Sequence, residues 1–230
     1  MRELLGVTVL VAGCFRPAVT PVDELPDAPP DARTLTISGT TNGSSGTLPS
    51  VNVAAYAVVD ETHPVASVLS DVNGNFSLDV PDPFDGFLVG TSAADVSTYV
   101  YSPTAFHDDF GGVPMVLFTP TEMSVIYSAG GVTQQADKGV ILMLVVDAST
   151  RPVAGATVAS LPASTYVYSN GHVGPSTAST STQADGIAWM FNVAAPPTTV
   201  SVSAMKPGTT FSSHTLEARS GALTLTWIAP

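Results

Sequence analysis

The chain has 230 residues, of which 44% are hydrophobic and 11% charged, and its formal net charge is −12 at pH 7. An acidic surface without a basic stripe repels phosphate backbones, so the composition argues against nucleic-acid binding. One cysteine excludes an internal disulfide, and the 19 glycines and 19 prolines between apolar runs are typical of a protein built from many short strands and turns.

The first fourteen residues, MRELLGVTVLVAGC, contain one arginine and a short apolar run over residues 4–12. This run is shorter than the roughly 20 apolar residues of a membrane-spanning helix, but it has the parts of a secretory signal. The ending LVAGC resembles the lipobox of bacterial lipoproteins. The resemblance implies that residues 1–13 are a removed signal peptide and that a lipid on Cys14 anchors the protein in the cell envelope, at the outer membrane, facing the periplasm or the surface. An ordinary cleaved signal and a core strand ending in a buried thiol are the alternatives.

Residues 14–33 are rich in proline and acidic residues, with VDELPDAPPDA over residues 22–32. Such a composition buries too little apolar surface to offset the conformational entropy lost on folding. We therefore predict a disordered linker. It would separate a folded module from the membrane in which the lipid on Cys14 is anchored.

From residue 34 onward, apolar and polar residues alternate, which is typical of antiparallel strands with one buried face. Three runs carry the pattern in the first half: TLTISGT from Thr34, VNVAAYAVV from Val51 to Val59, and FSLDV from Phe76. Because Gly, Pro, Asn and Asp separate the runs, we predict a first β-sandwich over residues 34–135.

The end of this first half, FTPTEMSVIYSAGG over residues 118–131, has a helical pattern instead. Thr121 is the predicted N-cap, and Gly130 and Gly131 are the predicted stop. The apolar residues that share one helical face are Met123, Ile126 and Tyr127.

The second half, residues 136–230, repeats the strand pattern with GVILMLVVD, GATVAS, GIAWMFNV, TVSVSA and ALTLTWI. In the last run, Leu223, Leu225 and Trp227 lie on one face, while Thr224 and Thr226 lie opposite. The segment YSNGHVGPS, residues 168–176, is predicted to be an additional hairpin. These runs predict a second β-sandwich.

The segments RPVAGATV (151–158) and QADG (183–186) are similar to the carboxypeptidase regulatory-like, or transthyretin-like, family. The first half matches that pattern more loosely, through SDVNGNF at residues 70–76. The resemblance implies an all-β fold of two Ig-like, transthyretin-like antiparallel β-sandwiches in tandem, with the short helix between them. It also implies an accessory or adhesive module, so we expect neither catalysis nor a cofactor.

Two polar segments could supply metal ligands. The loop FHDDF contains His107, Asp108 and Asp109, but adjacent residues rarely converge on one ion without ligands from elsewhere. The turn DVNGNF has the odd spacing of a calcium loop, although Phe76 stands where such a loop needs glycine. The alternatives are a polar loop tip for the first segment and a turn followed by a strand for the second. The turn residues with this spacing are Asp71, Asn73 and Asn75.

Aromatic residues near the ends of the predicted strands are the candidates for ligand binding, because exposed rings stack on sugars or anchor partner proteins. The alternative is that these rings belong to the core of the strands. The candidates are Tyr99, Tyr101, Phe106, Phe110, Tyr166 and Tyr168.

Three functions remain open from the sequence. The first is a lipid-anchored envelope protein whose tandem sandwiches act as a non-catalytic binding, spacer or adhesion element, with the membrane and an envelope protein or polysaccharide as partners. The second is an accessory subunit of a secreted peptidase or polysaccharide enzyme. The third is a metal-dependent envelope enzyme that uses the loop of His107, Asp108 and Asp109.

Overall fold

Strands dominate residues 33–230, the part of the chain that the computed structural model describes. The predicted signal peptide, the lipidated Cys14 and the predicted linker up to residue 32 lie outside these residues. The strands of the first half are β1 Thr34–Gly43, β2 Gly46–Thr47, β3 Asn52–Ala57, β4 Ala66–Leu69, β5 Asn75–Pro81, β6 Gly86–Thr91, β7 Thr98–Tyr101 and β8 Phe110–Val116.

One helix, α1 Pro120–Ala129, separates these strands from the second group. The predicted domain limit between residues 135 and 136 falls in the connection after α1, and it stays a prediction. The strands of the second half are β9 Lys138–Val145, β10 Thr157–Leu161, β11 Thr165–Ser169, β12 Pro175–Ser176, β13 Ile187–Ala194, β14 Val200–Lys206, β15 Thr209–Thr210, β16 His214–Leu216 and β17 Leu223–Ile228.

The two halves repeat one strand arrangement. In the first half, β1 pairs antiparallel with β5 and parallel with β8, while β3 pairs antiparallel with β6. In the second half, β9 pairs antiparallel with β13 and parallel with β17, while β10 pairs antiparallel with β14. Each half is therefore a sandwich of two sheets, and the predicted all-β fold of two sandwiches is confirmed.

Parallel pairing joins the two sandwiches. Strand β17 lies between β9 and β7 and runs parallel to both, with Leu223 opposite Thr98 and Thr226 opposite Tyr101. The second sheet of the first sandwich and the first sheet of the second thus form one nine-stranded sheet, in the order β12-β11-β13-β9-β17-β7-β6-β3-β4. The sequence predicted antiparallel sheets, and these parallel pairs are a correction to that expectation.

Both faces of the nine-stranded sheet carry hydrophobic cores. One core lies under β1, β5 and α1 and contains Ile37, Trp189 and Phe191, whereas the other lies under β10 and β14 and contains Met143 and Met190. Coverage on both faces explains why Thr224 and Thr226 are buried as completely as the leucines of β17.

The helix α1 begins two residues earlier than predicted, because its N-cap is Thr119 and not Thr121. Thr119 Oγ1 accepts a hydrogen bond from the Glu122 N–H at 3.2 Å, and Glu122 Oε2 accepts one from the Thr119 N–H at 2.7 Å. This capping box satisfies two donors that the first turn leaves free. The predicted end is correct, since Gly130 is the C-cap.

Strand β3 is shorter than the sequence predicted. It ends at Ala57, where the Asp60 N–H donates to the Ala57 carbonyl at 3.0 Å and turns the chain. Val59, which the alternation assigned to the buried face, is 96% exposed in this turn. The predicted hairpin in the second half is confirmed, because β11 and β12 pair antiparallel with Tyr168 opposite Ser176.

Candidate functional site: an apolar groove beside strand β8

A groove of about 490 Å³ lies between β8 and the outer face of β17, β9 and β13. We call it the β8 groove. None of the described residues that line it is charged, and most of its surface is aliphatic or aromatic. The apolar lining residues include Phe110, Pro114, Leu142, Leu144, Ile187 and Trp227.

The groove exists because the sheet of β5, β1 and β8 is narrower than the sheet beneath it. On one side of β8, the core of the first sandwich is fully covered, and Val113 and Met115 are buried there. On the other side, β9 and β17 continue without a strand above them. Leu144 and Trp227 consequently remain half-buried on a face that would otherwise be core.

A row of aromatic rings leads from the core of the first sandwich into the groove. The ring centroids are 6.4 Å apart for Phe84 and Phe106, 4.8 Å for Phe106 and Phe110, and 5.8 Å for Phe110 and Trp227. The last two rings are nearly parallel, with an interplanar angle of 9°. Stacked rings of this kind contribute about 0.5–1.5 kcal/mol beyond the area they bury, so they hold the groove wall in place.

The free edge of β8 is poorly suited to pairing with another strand. Pro114 has no backbone N–H, and Gly112 has a φ of +77°, which departs from strand geometry. The Val116 carbonyl already accepts a hydrogen bond from Thr98 Oγ1 at 2.7 Å. Such features protect exposed edges against strand addition, so the groove offers side-chain contacts more than backbone hydrogen bonds.

Of the six aromatic candidates from the sequence, only Phe106 and Phe110 belong to the row beside the groove. Tyr99 and Tyr101 are on the opposite face of the nine-stranded sheet, where both pack against Phe87. Tyr101 is only 7% exposed, so it is part of the core and not a surface for stacking. Burial raises the pKa of Tyr101 to about 12, although the nearby Arg219 acts in the opposite direction.

Arg219 contacts several segments on this opposite face of the nine-stranded sheet. Its guanidinium bonds to the carboxylates of Glu61 and Glu217, with an Nη2–Oε2 distance of 2.8 Å for Glu217. Its Cζ also lies 5.9 Å from the ring centroid of Phe87 and 5.7 Å from that of Tyr99. These contacts cross-link a loop, two strands and the β16–β17 connection, which is a structural role.

Tyr166 and Tyr168 also have structural roles. The Tyr168 hydroxyl accepts a hydrogen bond from the Val158 N–H at 3.1 Å, and the Tyr166 hydroxyl accepts one from the Ser160 N–H at 2.8 Å. Both rings therefore satisfy donors on β10. The interpretation of these two residues as ligand-binding rings is not supported by their positions.

The loop of His107, Asp108 and Asp109 fastens the start of β1. Asp109 Oδ1 accepts a hydrogen bond from the Thr36 N–H at 2.8 Å, and Asp108 Oδ1 lies 3.5 Å from Arg33 Nη2. His107 is exposed. Within residues 33–230, no group of three or more His, Cys, Asp or Glu side chains is placed to hold a metal ion.

The second candidate metal segment is a turn that leads into β5. Asp71 Oδ1 accepts hydrogen bonds from the backbone N–H groups of Asn73 at 2.8 Å and Asn75 at 2.7 Å. These bonds, with the Asn75 contribution largest, lower the pKa of Asp71. The carboxylate is thus engaged in stabilising the turn, as the alternative interpretation of turn plus strand expected.

Sequence reasoning did not select Trp227, Leu144 and Ile187 as site residues. A partial signal existed, because Trp227 was assigned to the same face of its strand as Leu223 and Leu225. Alternation identifies which residues share a face, but it does not show where the opposing layer ends. The exposure of the groove follows from the width of the sheet above it, which is a property of the whole fold.

The chain matches no protein-family model and no curated protein. Among solved structures, it is similar to the Bacillus anthracis TIE protein at 12% identity and a TM-score of 0.25, over 86% of this chain and 33% of that protein. It is also similar to the shaft pilin SpaA from Lactobacillus rhamnosus GG at 10% identity and a TM-score of 0.28, over 86% of this chain and 98% of the pilin. The Streptococcal ancillary pilin matches at 12% identity and a TM-score of 0.28, over 87% of this chain and 63% of that pilin.

The chain therefore spans about a third, 33%, of the length of the Bacillus anthracis protein. At TM-scores of this size, these similarities support no statement about function. Among the helices of residues 33–230, none has the length and apolar character needed to cross a membrane.

Proposed function

We propose that this protein is a lipid-anchored binding module of the bacterial cell envelope, and that it holds an extended apolar segment of a partner protein in the β8 groove without catalysing a reaction. The observation that carries this proposal is the groove itself, a preformed apolar channel with the stacked rings of Phe110 and Trp227 in its wall.

The lining favours a peptide over a polysaccharide. Sugar recognition needs several directed hydrogen bonds, but the side chains that line the groove offer only the hydroxyl of Thr150 and the indole N–H of Trp227, because the buried hydroxyl of Thr226 already bonds to the Tyr101 carbonyl. Burial of apolar surface contributes about 25 cal/mol per Å², so an aliphatic segment gains more from this groove than a sugar does. An extended segment also fits because the groove follows the length of β8.

The placement in the envelope is supported by the sequence. The ending LVAGC at Cys14 has the form of a lipobox, and the acidic, proline-rich residues that follow suit a linker between lipid and fold. The likeness of RPVAGATV and QADG to the carboxypeptidase regulatory-like family supports an accessory or adhesive role. A partner that is itself a secreted enzyme would fit the same groove.

Peptide selection tests the proposed role of the groove. We expect a display library of random 12-residue peptides, panned on the full chain, to yield sequences rich in aliphatic residues. We expect Trp227→Asp to abolish their binding, since it places a charge in an apolar wall. The matched control is Val72→Asp, because Val72 is 84% exposed on the turn before β5, away from the groove.

Two results would contradict the proposal. The first is that the selected peptides bind Trp227→Asp as well as they bind the wild type. The second is that an array of envelope polysaccharides, used as the comparison probe, shows binding that depends on Trp227 while no peptide does.

A further inference from the structure

The β8 groove favours one kind of extended segment. We propose that the partner segment it binds is rich in proline, and that this segment lies beside β8 as a polyproline II helix instead of an added β-strand. This inference rests on the proposed function of the groove, and it names the chemistry and the conformation of the partner. The backbone of β8 and the side chains of the groove wall both support it.

The repeat within the chain shows that the position beside β8 suits an extended segment. Strand β8 pairs parallel with β1, and its counterpart in the second sandwich, β17, pairs parallel with β9. The other edge of β17 is occupied by β7, with Leu223 opposite Thr98. Among residues 33–230, no strand occupies the same edge of β8. The second sandwich thus contains an extended segment at the position that the groove leaves open in the first.

The backbone of β8 is less able to pair with a strand than the backbone of β17. The Leu117 N–H donates to the Asn42 carbonyl at 2.8 Å, so the alternate residues Pro114 and Val116 direct their backbone groups to the free edge. Pro114 has no N–H to offer there, and the Val116 carbonyl already accepts a hydrogen bond from Thr98 Oγ1 at 2.7 Å. An added strand would leave its own groups unpaired at both places. A polyproline II helix has no hydrogen-bond ladder, so it loses nothing at this edge.

The wall of the groove suits proline rings. The rings of Phe110 and Trp227 stack with their centroids 5.8 Å apart and an interplanar angle of 9°, so each ring fixes the orientation of the other. Proline-rich segments bind aromatic-lined grooves at a low cost in conformational entropy, because polyproline II is already formed in the free segment. None of the described lining residues is charged, which favours an uncharged segment because a charge would lose its hydration there.

The polar atoms of the groove also match a proline-rich segment. The hydroxyl of Thr150 donates to the Ser149 carbonyl at 2.7 Å, and the hydroxyl of Thr226 bonds to the Tyr101 carbonyl at 3.0 Å. Among the described lining side chains, this leaves the indole N–H of Trp227 as the donor for a ligand. A proline-rich segment offers unpaired carbonyl acceptors and few N–H donors. The Trp227 N–H can therefore bind one carbonyl of the segment while the other carbonyls face water.

The test uses the full chain in detergent and two fluorescein-labelled synthetic peptides of equal length. One repeats Pro-Pro-Leu and forms polyproline II, and the other repeats Val-Thr and favours a strand. By fluorescence anisotropy, we expect the Pro-Pro-Leu peptide to bind at least about tenfold more tightly, because the Val-Thr peptide leaves backbone groups unpaired beside β8. Trp227→Phe keeps a ring but removes the N–H, and it should weaken binding of the Pro-Pro-Leu peptide by about three- to tenfold.

Pro114→Ala tests the role of the β8 edge, because it restores the missing backbone N–H. We expect this variant to bind the Val-Thr peptide about three- to tenfold more tightly than the wild type does, so the preference for the Pro-Pro-Leu peptide becomes smaller. The matched control is Val72→Asp, since Val72 is 84% exposed on the turn before β5, away from the groove. This control should bind both peptides as the wild type does.

Equal affinity of the two peptides for the wild type would overturn the inference, as would tighter binding of the Val-Thr peptide or binding of neither. If peptides selected by display still bind in a Trp227-dependent way in that case, the proposed function stands and only the conformation assigned to the partner fails. If no peptide binds in a Trp227-dependent way, the proposed function fails as well.

Discussion

Trp189→Ala is expected to lower the free energy of unfolding by about 3–5 kcal/mol, the range for truncating a fully buried aromatic residue. Trp189 has no exposed surface, and its ring stacks on Phe191 at 5.9 Å. Its Nε1–H donates to the Val173 carbonyl at 2.6 Å, so the substitution also removes a hydrogen bond that ties the loop after β11 to the core. The loss therefore combines a cavity with an unsatisfied carbonyl.

Thermal unfolding followed by circular dichroism measures this effect, and for a chain of this size we expect Tm to fall by roughly 10 °C. The matched control is Trp227→Ala, in which the other tryptophan, half-buried in the β8 groove, is truncated. That variant should lose less stability than Trp189→Ala but should lose peptide binding. If the two variants were equally stable, the assignment of Trp189 to the core and of Trp227 to the groove would be wrong.

Gly39→Ala is expected to cost about 2–3 kcal/mol, the upper part of the range for overpacking. A Cβ at residue 39 would lie 2.1 Å from the Val113 carbonyl oxygen and 2.7 Å from a ring carbon of Phe76. Because the nearest atom belongs to the backbone of β8, relief requires that β8 move away from β1. The substitution should therefore also reduce binding of the selected peptides, since β8 forms one wall of the groove.

The matched control for this variant is Gly111→Ala, on β8 itself. A Cβ there would have Ser38 Oγ as its nearest neighbour at 3.5 Å, an ordinary van der Waals distance. Urea unfolding of both variants measures the difference. Gly39→Ala with the stability of the wild type would show that the β1–β8 pair is looser than described, and it would weaken the case for a preformed groove.

Strand alternation predicted a large part of the fold because it reports local burial. The predicted runs that begin at Thr34, Phe76 and Gly139 lie in strands, and their inward residues are buried. The pairing of β7 with β17 joins residues that are more than a hundred positions apart, and no local pattern indicates it. For the same reason, the burial of both faces of β17 was not expected from its alternation of Leu and Thr.

The helix cap shows a signal that was present in the sequence but was assigned to the wrong residue. Thr119 and Glu122 have the T-x-x-E spacing of a capping box, whereas Thr121 is followed three residues later by Ser124. Proline at the first helical position, Pro120, points to the same start.

The sequence predicts the residues of the groove less well than it predicts the fold. Phe106 and Phe110 were identified as aromatic candidates and border the groove, but Tyr101 and Tyr168 were identified by the same criterion and are core residues. Composition and spacing do not distinguish a ring that fills a core from a ring that lines an uncovered sheet. That distinction depends on where β8 ends the upper sheet, which only the three-dimensional arrangement defines.

We propose a binding module that works at a membrane, and the most direct test of this proposal is the lipid anchor. We would separate membranes from soluble protein in cells that express the wild type or Cys14→Ser, and measure the intact mass of the mature chain. We predict that the wild type sediments with membranes, begins at Cys14 and carries the mass of added acyl chains, while Cys14→Ser does not. If both chains remain soluble and Cys14 is unmodified, the protein is not lipid-anchored, and the proposed place of the module in the envelope is contradicted.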